Sequence, residues 1–357
     1  MFRFRRLSYI SLLIFLFVSI LISVSIQATQ GLFLNRIGFC NVEVGYDVHV
    51  VGNKAYVTNN DGLMIINTQD PHNPNKVGEL LIGGSTGFVI NGSIAYIASV
   101  LSGFVIANVS NPVNPEIIGS DTTPGADKIA ISGKLAYVSY AAGGFFVFNI
   151  SIPESPQLIG SFSDTRSDDI QVKDEYVFFA NAEKGLRVVN VADPSNPYLI
   201  QTLVQTSGAN DIFISDNILY LARWGMGIKV FDITNPISPL ALDSYDDDDG
   251  GEELGLVEKN ALLYVADNSG VEVFNVSDPN SIFEVTRLTH DVDAAHDIDV
   301  DSRFIYIAMG GGLLILEVSS TPPGIEVLIY VILISAIVAV ISTVIYYAVL
   351  RRKKRSS

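Results

Sequence analysis

The sequence predicts an all-β fold: a seven-bladed β-propeller with the N-terminal strand closing the last blade, plus a C-terminal transmembrane helix. Three observations predict it. An aromatic residue recurs at Tyr56, Tyr96, Tyr137, Phe178, Tyr220, Tyr264 and Tyr306, at spacings of 40, 41, 41, 42, 44 and 42 residues. A glycine keeps step at Gly62, Gly103, Gly144, Gly185, Gly227, Gly270 and Gly312. A polar residue follows at Asn67, Asn108, Asn149, Asn190, Asp232 and Asn275, with Glu317 in the last unit. A period near 40 with four short strands per unit is propeller patterning, because one such unit cannot bury its own apolar faces.

The fifth unit shows the strands most plainly. Residues 211–214 alternate, 218–222 are apolar, 228–232 alternate again, and a fourth strand follows Pro239.

From the N terminus, residues 1–28 read as a secretory signal peptide or an uncleaved signal anchor, with Arg3, Arg5 and Arg6 ahead of an apolar run at 7–26. The repeats occupy 31–318. Segment 32–39 resembles the outer strands at 115–120 and 156–161, and the last unit stops after its third strand. The missing fourth strand is therefore expected from the N terminus, which removes an open sheet edge. Because strands alternate in direction, both chain ends are expected on one lower face. Residues 319–326 form a linker containing Pro322 and Pro323. Residues 327–350 are 24 residues without a charge, about 36 Å as a helix at ~1.5 Å per residue. The basic tail, 351–357, holds Arg351, Arg352, Lys353, Lys354 and Arg355 and is expected in the cytoplasm. The propeller then lies outside the cell membrane, with its lower face toward the lipid and its upper face outward.

The stretches 186–197 (Leu-Arg-Val-Val-Asn-Val-Ala-Asp-Pro-Ser-Asn-Pro) and 271–279 (Val-Glu-Val-Phe-Asn-Val-Ser-Asp-Pro) resemble the LVIVD repeat. The resemblance covers roughly residues 31–318 and implies a β-propeller on the surface of an archaeal or bacterial cell. The family's motif Asp is mostly Asn here and is kept only at Asp232. The family has no established common activity, so the resemblance speaks for the fold rather than the function.

Charge narrows the partners. The repeat region holds 14 of the 22 cations and 37 of the 38 acids, a net of −23. Such a surface repels nucleic acid and anionic lipid headgroups and suits solubility in a salty exterior, or cationic partners. The one cysteine, Cys40, reads as a small buried hydrophobe and excludes an internal disulfide.

Candidate ligand-binding residues lie in the loops leading into each first strand: Asp47, Asp127, Asp169, Asp211 and Asp297, with Gly87 in the second unit and Glu253 near the sixth. Pointing into the channel mouth, they would form an acidic ring for a cation or a basic partner. Alternatively each Asp accepts backbone N–H bonds and fixes its own turn, which recurrence in nearly every unit favours. The acidic loop at Asp246, Asp247, Asp248 and Asp249 reads as solvated, with Ca²⁺ as the alternative, although its spacing does not fit an EF-hand. His49, His290 and His296 give a thin case for zinc, since they lack a closed four-ligand set. Trp224, the only tryptophan, sits in a glycine-rich upper loop, as a contact residue for sugar or protein or as packing against the neighbouring blade. Asn91, Asn108, Asn149 and Asn275 fit the N-glycosylation pattern, three of them within the repeat motif itself.

Catalytic motifs are missing: no Gly-x-Ser-x-Gly elbow, no His-Glu-x-x-His and no phosphate-binding glycine loop. The leading expectation is a cell-surface recognition or adhesion module that binds protein or glycan through the outward face and needs no cofactor. The alternatives are an extracellular hydrolase or lyase using carboxylates or a cation, and a structural envelope component.

Overall fold

The computed structural model describes residues 32–246, 252–289 and 294–319. The signal segment, residues 320–357, Asp247, Asp248, Asp249 and His290 lie outside the described residues. Among the described residues, no helix is long and apolar enough to cross a membrane. The chain divides into two compact units, Arg36–Glu317 and Met1–Asn35 with Val318–Ser357. Of the second unit, only 32–35 and 318–319 are described.

Among the described residues, twenty-eight strands make seven four-stranded sheets. Blades 1 to 6 each use four consecutive strands, spanning 47–81, 85–121, 126–162, 169–203, 209–245 and 253–289. Blade 7 takes its three inner strands from 295–319, and its outer strand is Phe33–Cys40. A Cβ built on Gly312 would lie 2.3 Å from the Cys40 carbonyl oxygen, so the outer strand runs antiparallel to the strand that Gly312 opens. Arg36 and Glu317 therefore leave the ring on the same side, as the strand count predicts.

The three registers of the sequence are three structural demands. All seven aromatic anchors are buried, and Tyr56, Tyr96, Tyr137, Phe178, Tyr220 and Tyr306 each pack with residues of a neighbouring blade. At the closure, Val48, Ala55, Val57, Met64 and Ile66 of blade 1 pack against Tyr306, Ala308, Leu313 and Ile315 of blade 7, with Cys40 in the same cluster. This burial, not a covalent link, seals the ring.

Glycine opens each third strand because the backbone there is left-handed and crowded. At Gly144 φ is 79°, and a Cβ would fall 1.8 Å from the Phe162 carbonyl oxygen of the outer strand. The polar residue that ends the third strand makes an Asx turn. Asn149 Oδ1 accepts from Ser151 N at 3.0 Å, and Asp232 Oδ1 from Thr234 N at 2.7 Å. Asn and Asp serve equally in this role, which explains the drift from the family's Asp. Glu317 has no turn to cap, since its outer strand comes from the other end of the chain; it pairs instead with Arg303 at 2.6 Å.

Candidate functional site

The candidate site is the central channel, built from the first strand of each blade. One position repeats nine residues before each aromatic anchor: Asp47, Gly87, Lys128, Asp169, Asp211, Gly255 and Asp297. All but Gly255 line a cavity of about 270 Å³. A second tier two residues further along completes the wall with His49, Val89, Gln171, Phe213, Val257 and Asp299.

Each ring aspartate ties its blade to the next. The Oδ2 atoms of Asp47, Asp169, Asp211 and Asp297 accept from the backbone N of Phe88 (3.2 Å), Ile212 (3.1 Å), Leu256 (2.8 Å) and Val48 (2.8 Å). Asp299 repeats the contact one tier down, to Val50 N at 2.7 Å. The turn-fixing alternative thus holds in modified form: the carboxylates satisfy backbone donors of the following blade, and Asp169 and Asp299 also accept from the N–H of their own next residue.

Two glycines make room for charged neighbours. A Cβ on Gly255 would sit 2.5 Å from Asp297 Oδ1, and one on Gly87 would sit 3.1 Å from Lys128 Cδ. The lysine stem therefore lies over the gap in blade 2, and the Asp297 carboxylate over the gap in blade 6.

The carboxyls pair around the ring, Asp169 with Asp211 and Asp297 with Asp47. Burial, first, pushes Asp211 and Asp297 well above the usual carboxylate range, and the charge of Asp169 or Asp47 adds to it. Burial also raises Asp169, opposed by Lys128, by the backbone N–H groups of Ile170 and Ile212 and by its hydrogen bond with Asp211. Burial works against the Lys128 ammonium too, but Asp47, Asp169, Asp211 and Asp297 outweigh it and hold that group above its ordinary value. Among the described residues, the ammonium makes no hydrogen bond and no ion pair at contact distance. It stands in the channel as a shared counter-ion.

Asp127, expected in the ring, is not there. It is buried one residue earlier and receives Arg166 Nη2 at 3.2 Å, while Lys128 takes the ring position. The inner strand of blade 3 shifts register between Ala126 and Ile129, as blades 2, 5, 6 and 7 do at the same point, so Asp127 is the bulged residue just before the ring position. Gly255, not Glu253, is the sixth member. Counting nine back from Tyr137 and Tyr264 finds both corrections in the sequence.

The other candidates disperse. Trp224 is 48 % exposed in an upper loop and does not line the cavity. Asp246 accepts from Arg223 Nη2 at 3.0 Å. Among the described residues, no cluster of three or more His, Cys, Asp or Glu is arranged to hold a metal ion. His49 faces Asp299 at 3.5 Å, whereas His296 Nδ1 bonds the Gly45 carbonyl at 2.7 Å. Asn108, Asn149 and Asn275 cap their own turns, and Asn91 lies exposed in the turn between the first two strands of blade 2.

The fold and channel define a seven-bladed β-propeller with a charged axial cavity. Residues 45–81, 83–123, 125–164, 166–204, 208–247 and 294–330 match the LVIVD repeat. These stretches make up more than half of the sequence, and the chain belongs to the LVIVD repeat family. Blade 6 is the blade without a match. The fold is similar to the WD40 β-propeller domain of Doa1, at 12 % identity and a TM-score of 0.64, over 80 % of this chain and 97 % of that one. It is also similar to the computationally designed Ika8 protein, at 12 % identity and a TM-score of 0.59, over 79 % of this chain and 99 % of that one. No curated protein matches the sequence.

Proposed function

We propose that the protein is an exported recognition or adhesion module, held in the cell membrane by residues 327–350, that binds an extracellular protein or glycan at the upper mouth of its channel. The observation that carries this reading is the ring. In one backbone register the side chains run Asp, Gly, Lys, Asp, Asp, Gly, Asp, while the buried anchors remain Tyr or Phe in every blade. A purely structural position asks the same residue of each copy; a binding surface asks for different groups around one ligand. The N-terminal signal, the uncharged run and the basic tail support a propeller outside the cell and a tail inside it. The reading needs no cofactor, and Ca²⁺ at the 246–249 loop would announce itself as heat on titration.

The test uses the full chain in lipid nanodiscs, presented to immobilised cell-envelope proteins and glycans. Retention is expected for the wild type and is expected to fall with the Lys128→Gln, Asp211→Asn double variant, whose circular dichroism stays native. Equal retention of the two would overturn the reading.

One observation favours a second reading, that of a hydrolase or lyase. Asp169 and Asp211 share a hydrogen bond in an enclosed site, the arrangement by which paired carboxyls split acid and base roles. Turnover of chromogenic glycosides, abolished by Asp169→Asn, would establish it; no turnover across such a panel would remove it.

A further inference from the structure

The composition of the channel narrows what it binds, if the recognition reading holds. We infer that the channel mouth takes a neutral, polyhydroxylated group about the size of one hexose, whose hydroxyls donate to the ring aspartates while one of its oxygens accepts from Lys128.

The donor and acceptor inventory carries this. The upper tier offers four carboxylates and one ammonium, and the lower tier adds Gln171, His49 and Asp299. The Lys128 ammonium has no contact partner among the described residues, so an enclosed donor is available for a ligand oxygen. The carboxylates are the converse. Each ring aspartate has one oxygen held by a backbone N–H of the next blade; the pairs Asp169–Asp211 and Asp297–Asp47 share part of what remains, and all four residues line the cavity.

Charge removes the competitors. An anion entering the cavity would crowd against four ring carboxyls, two of which, Asp211 and Asp297, burial and a neighbouring carboxylate already push well above their usual range. A cation would have to share the space with the ammonium that already serves all four ring carboxylates. A hydroxyl both donates and accepts, carries no charge, and satisfies either partner.

Size and shape agree. A cavity of about 270 Å³ corresponds to on the order of nine waters at ~30 Å³ each, room for one sugar ring with its hydroxyls and too little for a folded peptide. Phe213 and Val257, on neighbouring blades 5 and 6, give the wall an apolar side, on which the C–H face of a pyranose can lie.

The test is saturation-transfer NMR and calorimetry on the full chain in nanodiscs. The probes are the methyl pyranosides of glucose, galactose, mannose and N-acetylglucosamine, with methyl glucuronide, putrescine and Ca²⁺ as charged comparators. At least one neutral pyranoside is expected to bind with a Kd in the millimolar range or below, and the charged probes at least tenfold more weakly. Lys128→Gln is expected to weaken the pyranoside at least tenfold. Phe213→Leu, which leaves every charge in place, is expected to weaken it severalfold, so the inference does not hang on one variant that strains the ring.

Binding of no neutral pyranoside, or tighter binding of a charged probe, overturns the inference. So does pyranoside binding that neither variant disturbs, because the site is then elsewhere. In each of these cases ring-dependent retention on envelope material would leave the recognition reading standing, whereas loss of that dependence would bring down both.

Discussion

Replacing Lys128 by methionine keeps most of the stem that covers Gly87 and deletes the one charge that balances four carboxylates. Breaking a buried charge pair costs ~3–5 kcal/mol. This lysine opens onto the cavity, and its partners can take up protons, so we place the loss at pH 7.5 at about 2–4 kcal/mol. At roughly 2 °C per kcal/mol for a domain of this size, the melting temperature should fall by about 4–8 °C.

The sign of the pH dependence follows from the groups themselves. Lys128 has its folded pKa raised, so its contribution is fully present below the ordinary lysine value and is lost only above it. It is therefore charged at both pH 7.5 and pH 5. The aspartates have folded values raised above 3.8, and without the lysine these values rise further. Toward pH 5 they are increasingly protonated, less charge is left uncompensated, and the loss should shrink to under ~1 kcal/mol, or about 2 °C. The assay is thermal unfolding of wild type and Lys128→Met in the same detergent at both pH values. An equal loss at pH 5 and 7.5, or none at 7.5, would refute the counter-ion role.

The wild type should itself melt higher near pH 5 than near pH 8. Asp168, Asp169, Asp211, Asp297 and Asp299 are all raised, first by burial, so the folded state binds more protons and loses stability as pH rises above about 4 through those raised values; a midpoint that climbs steadily to pH 8 would contradict this. Below that window the trend reverses, because Asp70, Asp193, Asp232 and Asp278 in the lower turns are lowered by hydrogen bonds that are lost on protonation. Gly144→Ala places a methyl group 1.8 Å from the Phe162 carbonyl oxygen at a φ of 79°. It should destabilise by roughly 3 kcal/mol in urea unfolding, and a change under ~1 kcal/mol would mean that the outer strand yields. Asn149→Ala should lose about 1 kcal/mol with its Asx turn while Asn149→Asp is near neutral. Asn108, Asn149 and Asn275 are half-buried and Asn91 is exposed, so a mass shift on deglycosylation should map to Asn91.

The fold was legible because its strongest sequence marks are structural requirements repeated in every blade. Tyr137 and its equivalents fill the space between blades, Gly144 and its equivalents avoid a carbonyl, and Asn149 and its equivalents cap a turn. The borrowed outer strand was legible too, from a last unit one strand short. The site was legible only in outline. Asp47, Asp169, Asp211 and Asp297 stand out as acidic residues of the entry loops, but by the same mark Asp127 hides the lysine beside it. The bulge before the ring position recurs in blades 2, 3, 5, 6 and 7 and has no local signature, so only the distance from Tyr137 tells Lys128 from Asp127. In blade 6 the acidic residues near 253 concealed Gly255 in the same way. The backbone partners of the ring carboxylates lie 41 to 45 residues along the chain in blades 1, 4 and 5, and 249 residues away across the closure, beyond any local pattern.

The most direct test of recognition at the channel moves the only tryptophan into it. A protein carrying Trp224→Phe and Phe213→Trp reports from the cavity wall. Saturation with envelope oligosaccharides or proteins that the wild type retains should shift the emission of that indole and shield it from acrylamide. Emission and quenching that stay unchanged at full occupancy would place the partner away from the channel and contradict the account.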